Sequence, residues 1–182
     1  AIIGTLRAGC TVVNVNPLYT ARELEHQLND SGASVIVIFE NAAATLAQVL
    51  ARTPVKRVIV TGIGDQLGFP KGAITNFVIR RVKKMVPPYS LPGAVTFNAA
   101  LRIGAAKTLD AVDVTGEDIA FLQYTGGTTG VSKGAVLTHR NMIANPLQVT
   151  AYMPELMQFE NPVVITALPL YHIFALTACC LL

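Results

Sequence analysis

Short runs of β-branched and apolar residues alternate with stretches of helical spacing along the first sixty residues, and this rhythm is the strongest constraint on the fold. Thr11 to Val15 reads as a strand stopped by Asn16-Pro17. Thr20 is placed to cap a helix in which Glu23 stands three residues on, a capping-box spacing, with Leu24 and Leu28 on one face and Ser31-Gly32 at its end. Val35 to Phe39 is a continuous apolar run suited to a strand buried on both faces. Asn41 is placed to cap a helix over Ala42 to Ala51, and Lys56 to Thr61 forms the next strand. Three strand–helix units predict an α/β fold with a doubly wound parallel sheet. With 52% apolar residues and a mean hydropathy of +0.48, the chain is neither a disordered tail nor a disulfide-stapled miniprotein. Both ends, Ala1-Ile2-Ile3 and Cys179-Cys180-Leu181-Leu182, fall inside apolar runs, so the expectation is an internal piece of a longer protein.

The rhythm breaks between Gly62 and Pro92, a Gly- and Pro-rich stretch that reads as an insertion. Within it, Ala73 to Val86 has a helical pattern that sets Ile74, Phe77, Val78, Val82 and Met85 on one side and Arg80, Lys83 and Lys84 on the other. Arg81 falls within the apolar arc. Residues 66–109 hold seven bases (Lys71, Arg80, Arg81, Lys83, Lys84, Arg102, Lys107) and no acid, which leaves 7 bases against 11 acids elsewhere, a net of −4. One basic patch on an acidic body does not suit a nucleic-acid binder. It suits either a solvated basic face or contact of residues 71–86 with anionic lipid. The three cysteines, Cys10 and the vicinal Cys179 and Cys180, have no metal or redox spacing, and a reducing compartment such as the cytoplasm is expected. The rhythm resumes with a helix near Asn98 to Gly104, an acidic turn Asp110 to Asp118, a strand Ile119 to Tyr124, a helix from Arg140 to Ala151 and a strand from Val163 to Ala167.

Directly after the strand Ile119–Tyr124 comes Thr125-Gly126-Gly127-Thr128-Thr129-Gly130-Val131-Ser132-Lys133-Gly134. Glycines let backbone N–H groups approach and converge on phosphate oxygens. Thr125, Thr128, Thr129 and Ser132 add hydroxyls for phosphate or a magnesium shell, Thr125 and Thr128 being the metal candidates, and Lys133 adds a fixed positive charge. A plain hairpin turn is the competing reading, but a turn has no use for four hydroxyls, a lysine and four glycines. The Walker A register fails, because Lys133 is preceded by Ser132 and followed by Gly134. A dinucleotide fingerprint fails at Gly62-x-Gly64-x-x-x-Gly68, which has one residue too many and Pro70 where the helix should run. H-E-x-x-H does not occur.

The run from Tyr124 through Gly134, continuing Ala135-Val136-Leu137-Thr138-His139-Arg140-Asn141, resembles the signature loop of the adenylate-forming (AMP-binding) superfamily. Leu168-Pro169-Leu170-Tyr171-His172-Ile173-Phe174 is similar to that family's aromatic and histidine segment. Arg7-Ala8-Gly9, Asn16-Pro17-Leu18-Tyr19 and Glu23-Leu24 are similar to its upstream run. Gly126 stands where many members have Ser, and Ser132 where many have Pro. The closest flavour is bacterial long-chain fatty acid–CoA ligase, and the chain reads as part of the large N-terminal domain with residues 66–109 as a basic insertion and no C-terminal domain. The resemblance implies ATP, Mg²⁺ and coenzyme A. It implies polyphosphate binding by Tyr124, Thr125, Gly126, Gly127, Thr128, Thr129, Gly130, Ser132, Lys133 and Gly134, and catalytic parts for Lys133 and His172.

On its own, a histidine in an apolar stretch is more often a satisfied core residue, and the resemblance alone makes His172 a wall of the acyl-adenylate pocket. His26 and His139 have no such support. Thr115-Gly116-Glu117 lies before the loop rather than after it, and reads as a surface turn instead of a ribose-binding T-G-D. An aryl-acid ligase or a peptide-synthetase adenylation domain shares the same loop. The family's downstream Y-G-x-T-E, T-G-D and late lysine do not occur here, so the piece alone is expected to bind phosphates weakly. Residues 163–182 carry no Asp, Glu, Lys or Arg and are long enough to span a bilayer, but Pro169 and His172 favour a core strand leading into a buried helix. Homodimerisation is left open.

Overall fold

The protein's structure, a computed structural model, describes residues 1–125, 132–155, 163, 165 and 167–181. Its strands are β1 (Val12–Asn14), β2 (Val35–Phe39), β3 (Arg57–Thr61), β4 (Val95–Thr96), β5 (Ile119–Thr125) and β6 (Lys133–Thr138). Its helices are α1 (Ile2–Arg7), α2 (Ala21–Ser31), α3 (Ala43–Ala47), α4 (Lys71–Phe77), α5 (Phe97–Ala105), α6 (His139–Tyr152) and α7 (Ile173–Leu176). They divide into two units, Pro17–Asp110 and Ala1–Asn16 with Ala111–Leu182.

In the first of these, β2, β3 and β4 form a parallel sheet, Val35 aligned with Arg57 and Ile59 with Val95. The helix α2 begins as its spacing predicts. Thr20 N–H donates to the Glu23 carboxylate at 2.8 Å while Glu23 N–H donates to Thr20 Oγ1 at 3.4 Å, and the hydrogen bonds from Thr20 hold the Glu23 carboxyl below its ordinary range. Gly32, at φ 64°, ends the helix in the left-handed conformation that glycine adopts without a Cβ penalty. Leu24 and Leu28 are buried as predicted.

Three expectations are corrected in this unit. The strand β2 is not buried on both faces: Ile36 and Ile38 are buried, whereas Val35, Val37 and Phe39 are 43–51% exposed. The period-2 pleat sends alternate side chains to opposite faces, and only one of them meets the core. Asn41 caps no helix. Its side-chain amide donates instead to the Met85 carbonyl at 3.0 Å, a partner 44 residues away, and the expected ten-residue helix is reduced to a short 3₁₀ turn, α3 and a second 3₁₀ turn over Leu50–Arg52. The helix expected over 73–86 starts at Lys71 and becomes a π-helix over Val78–Val82, where Lys83 N–H bonds the Val78 carbonyl at 2.7 Å. It ends at Val82 with Lys83 as its cap, and Lys84 beyond has a φ of +50°. Widening the turn breaks the 3.6-residue period on which the predicted apolar side rested. Val78 and Ile79 are half-buried, while Ile74, Phe77, Val82 and Met85 stay exposed.

One glycine of the false dinucleotide fingerprint, Gly64, has a packing role against Gly72 of α4. A Cβ on Gly72 would lie 2.3 Å from the Gly64 carbonyl oxygen, so α4 can sit on the loop only without side chains there. Gly64 N–H donates to Asn76 Oδ1 and Asn76 Nδ2 donates to Asp65 Oδ1, each at 2.8 Å, tying the same loop to α4.

In the other unit, β5 is central, with β1 parallel on one side and β6 antiparallel on the other. The α/β class with parallel sheets holds, but β1 pairs with β5 rather than with β2. Val12, Ala120, Phe121 and Leu176 form the core, flanked by Leu6, Leu137, Met142 and Ile173. Thr138 and Asn141 form a second capping box, which starts α6. Thr115–Asp118 is a surface turn, as predicted. The Thr115 N–H and hydroxyl donate to the Asp118 carboxylate at 2.7 and 2.8 Å, which holds that carboxyl below its ordinary range. Of the strand expected at Val163–Ala167, Val164 and Thr166 lie outside the described residues, while Val163, Ile165 and Ala167 are in no strand, and the first two are exposed.

Candidate functional site

Strand β5 is buried along most of its length and emerges at Thr125, where the chain enters the glycine- and threonine-rich stretch. It returns at Lys133, the first residue of β6, and Thr125 is paired directly with Lys133 in the antiparallel ladder. Gly126, Gly127, Thr128, Thr129, Gly130 and Val131 lie outside the described residues. The two ends of the loop are thus fixed to each other across one strand pair. Paired residues project from the same face of a sheet, so Thr125 and Lys133, both exposed, stand side by side. Ser132, half-buried, immediately precedes Lys133.

The next pair, Tyr124 with Gly134, projects from the opposite face. A Cβ on Gly134 would lie 3.0 Å from Tyr124 Cε2, so the ring lies against bare backbone and is 8% exposed. Glycine at 134 therefore packs the strand end instead of bending the loop. Strand β6 is not among the elements that the sequence predicts. Its signal is weak, since Lys133-Gly134-Ala135-Val136-Leu137-Thr138 holds two β-branched residues and a glycine that strands disfavour.

A residue that sequence reasoning passed over links the loop to the histidine segment. Gln123, 6% exposed on β5, donates from Nε2 to the Tyr171 carbonyl at 3.1 Å and accepts from Asn14 Nδ2 at 3.3 Å. Gln123 thereby links its partner on β1, Asn14, to the turn Pro169–His172, which His172 N–H closes by donating to the Pro169 carbonyl at 3.0 Å. His172 precedes the first turn of α7 and is exposed. A lone glutamine amid buried apolar strand residues was the available signal, because a buried amide requires partners. Of the other histidines, His139 opens α6 with its N–H on the Asp118 carbonyl at 3.0 Å, and His26 is half-buried on α2. Among the described residues no group of three His, Cys, Asp or Glu is placed to hold a metal.

The profile of the AMP-binding enzyme family matches residues 1–182, this strand pair and its lysine included. The chain belongs to that family. It is 58% identical over all 182 residues to the long-chain-fatty-acid–CoA ligase of Salmonella typhimurium and covers 32% of that protein, so it spans about a third of the curated relative's length. Among solved structures, ATP-bound MatB from Rhodopseudomonas palustris superposes with a TM-score of 0.66 at 26% identity, over 98% of this chain and 29% of the other. A long-chain-fatty-acid-CoA ligase from Archaeoglobus fulgidus does so with a TM-score of 0.60 at 27% identity, over 97% and 29%.

Proposed function

We propose that the full protein activates a long-chain fatty acid with ATP to the acyl-adenylate and then to acyl-CoA, the loop 125–134 holding the polyphosphate. The observation that carries this is the Thr125–Lys133 pair, which stations a hydroxyl and the sole charged residue between Ile119 and Thr138 at the two ends of the loop. The names of the relatives supply the acyl class.

In the first step a carboxylate oxygen attacks the α-phosphorus of ATP, the bond from that phosphorus to the bridging oxygen breaks, and pyrophosphate leaves with the electron pair. In the second, the sulfur of coenzyme A attacks the acyl carbon, loses its proton to solvent, and AMP departs. Negative charge gathers on the departing pyrophosphate, where a preorganised ammonium and hydroxyl donors lower the barrier. Lys133 supplies the ammonium, and Thr125, Thr128, Thr129 and Ser132 the hydroxyls. The hydroxyls of Thr125 and Thr128 are of the oxygen-donor type Mg²⁺ takes and would help hold one beside the phosphates. When bound, it neutralises phosphate charge. His172 is assigned to the wall of the acyl-adenylate pocket.

The test is acid-dependent pyrophosphate release by the full-length protein, with palmitate, butyrate, 4-coumarate and single amino acids in parallel. Release with palmitate at least tenfold faster than with the others is expected. Preference for 4-coumarate or an amino acid would move the protein to another branch of adenylate chemistry, and no release with any acid would end the ligase reading.

A second observation supports work at the cytoplasmic face of an anionic membrane. Ile74, Phe77, Val82 and Met85 are 55–63% exposed among the exposed bases Lys71, Arg81, Lys83 and Lys84. Arg80 is not one of the free charges, since its Nε donates to the buried Glu40 carboxylate at 2.7 Å and anchors the segment. No helix among the described residues is long and apolar enough to cross a membrane, and the proposed contact is a surface one through residues 71–86. Full-length protein is expected to sediment with phosphatidylglycerol vesicles and not with phosphatidylcholine vesicles. The double variant K83E/K84E should weaken that binding by roughly tenfold or more, at about 1 kcal/mol per base near the surface. Equal binding to both vesicle types, or an unaffected double variant, would overturn it.

A further inference from the structure

We propose that Gln123 is a positioning residue that fixes the turn bearing His172 to the face of the sheet from which Thr125 and Lys133 project. The inference rests on the ligase reading above and adds a residue to it.

Three observations converge. On β5, Gln123 and Thr125 are two apart, so the pleat sends both side chains to one face, and Lys133, paired with Thr125, shares that face. Gln123 is buried, and its Nε2 reaches the backbone carbonyl of Tyr171, the residue before His172, at 3.1 Å. Phe121, two residues earlier on the same face, belongs to the core cluster that also holds Leu176 of α7, with Ile173 packed against it. The side-chain amide is thus the polar tie at the end of an otherwise apolar contact, where the strand passes into the polyphosphate loop. A buried amide that loses its partner carries the full cost of desolvation, which makes the register of this turn a two-way choice rather than a sliding one.

The chemistry of the amide separates its two bonds. Gln123→Glu keeps an acceptor for the Asn14 amide but removes the donor to Tyr171 and sets a carboxylate against a carbonyl. Asn14→Ala removes the other bond and leaves the Tyr171 tie intact. In the full-length protein, pyrophosphate release is measured for wild type, Q123E, N14A, H172A and Q123E/H172A, with fatty acid varied at saturating ATP and ATP varied at saturating acid. Q123E is expected to lower kcat/KM for the fatty acid by about tenfold, the weight of one buried hydrogen bond, with KM for ATP within about twofold of wild type. N14A should stay within about threefold. The double variant should be no worse than H172A alone within about twofold, because both changes act on one element.

Multiplying effects in the double variant, a parallel rise in KM for ATP, or an N14A protein as impaired as Q123E would each overturn the assignment and leave Gln123 as ordinary strand packing. Q123M, which removes both bonds at similar volume, is the second variant should Q123E fold poorly. In it, faster amide hydrogen exchange confined to residues 168–176 supports the tie, and unchanged exchange there sinks it. A wild-type protein inert with every acid would end the ligase reading while leaving this exchange readout intact, so the two failures are distinguishable.

Discussion

Lys133→Ala is expected to leave the full-length protein folded and to lower acid-dependent pyrophosphate release by about 10²- to 10³-fold, the range for losing one preorganised donor at a centre of developing charge. Lys133 is exposed and its backbone stays in the ladder opposite Thr125, so the truncation opens no core cavity. No other charged residue lies between Ile119 and Thr138 to take over. The effect belongs in kcat, since the charge to be stabilised grows as pyrophosphate departs. Arginine at 133 keeps the charge but spreads it over a planar fork, and should restore only part of the rate. Lys107→Ala, a base removed from an exposed position in the other unit, is the control and should change the rate by less than about twofold. A K133A protein with more than a third of the wild-type rate would remove Lys133 from the chemistry.

Gly72→Ala is expected to destabilise the protein by about 1–3 kcal/mol, the usual cost of forcing a methyl into a filled contact. The new Cβ would sit 2.3 Å from the Gly64 carbonyl oxygen, a backbone atom with no rotamer by which to retreat. Gly104→Ala makes the comparison informative. Gly104 lies within α5 with nothing within 4 Å of the place a methyl would take, and alanine there should stabilise by roughly 0.5–1 kcal/mol through helix propensity. Opposite shifts in the denaturant midpoint of the full-length protein, with unchanged slopes, are the expected result. A neutral Gly72→Ala would mean that the loop 62–68 is free to move off α4.

What the sequence disclosed here is what local chemistry decides. The capping box at Thr20 and Glu23, the Gly32 stop, the turn at Thr115–Asp118 and strands β2, β3 and β5 depend on neighbours within four residues or on a period that a single segment carries. The failures depend on partners distant along the chain. Asn41 is a good cap by type, yet the Met85 carbonyl takes its amide. Arg80 reads as one more surface base, yet the buried Glu40 pairs with it. Gln123 reads as filler in a strand until Asn14 and Tyr171 close around it. At the candidate site, the motif supplies Thr125 and Lys133 by type, while their adjacency comes only from β6, a strand with little sequence signal of its own.

The hairpin has a consequence for how such a loop tolerates change. Where an anion-binding loop runs into a helix, adding or deleting a residue rotates everything beyond it by about 100° per residue, so loop length and charge placement are bound together. Here the ladder, rather than the loop, sets the address of the lysine: with Thr125 and Lys133 paired, their Cα atoms stay about 4.5–5.5 Å apart whatever the length of chain between them. A change of length between the two posts would thus leave the hydroxyl and the ammonium side by side, and its cost would fall on whatever contacts the intervening residues make themselves.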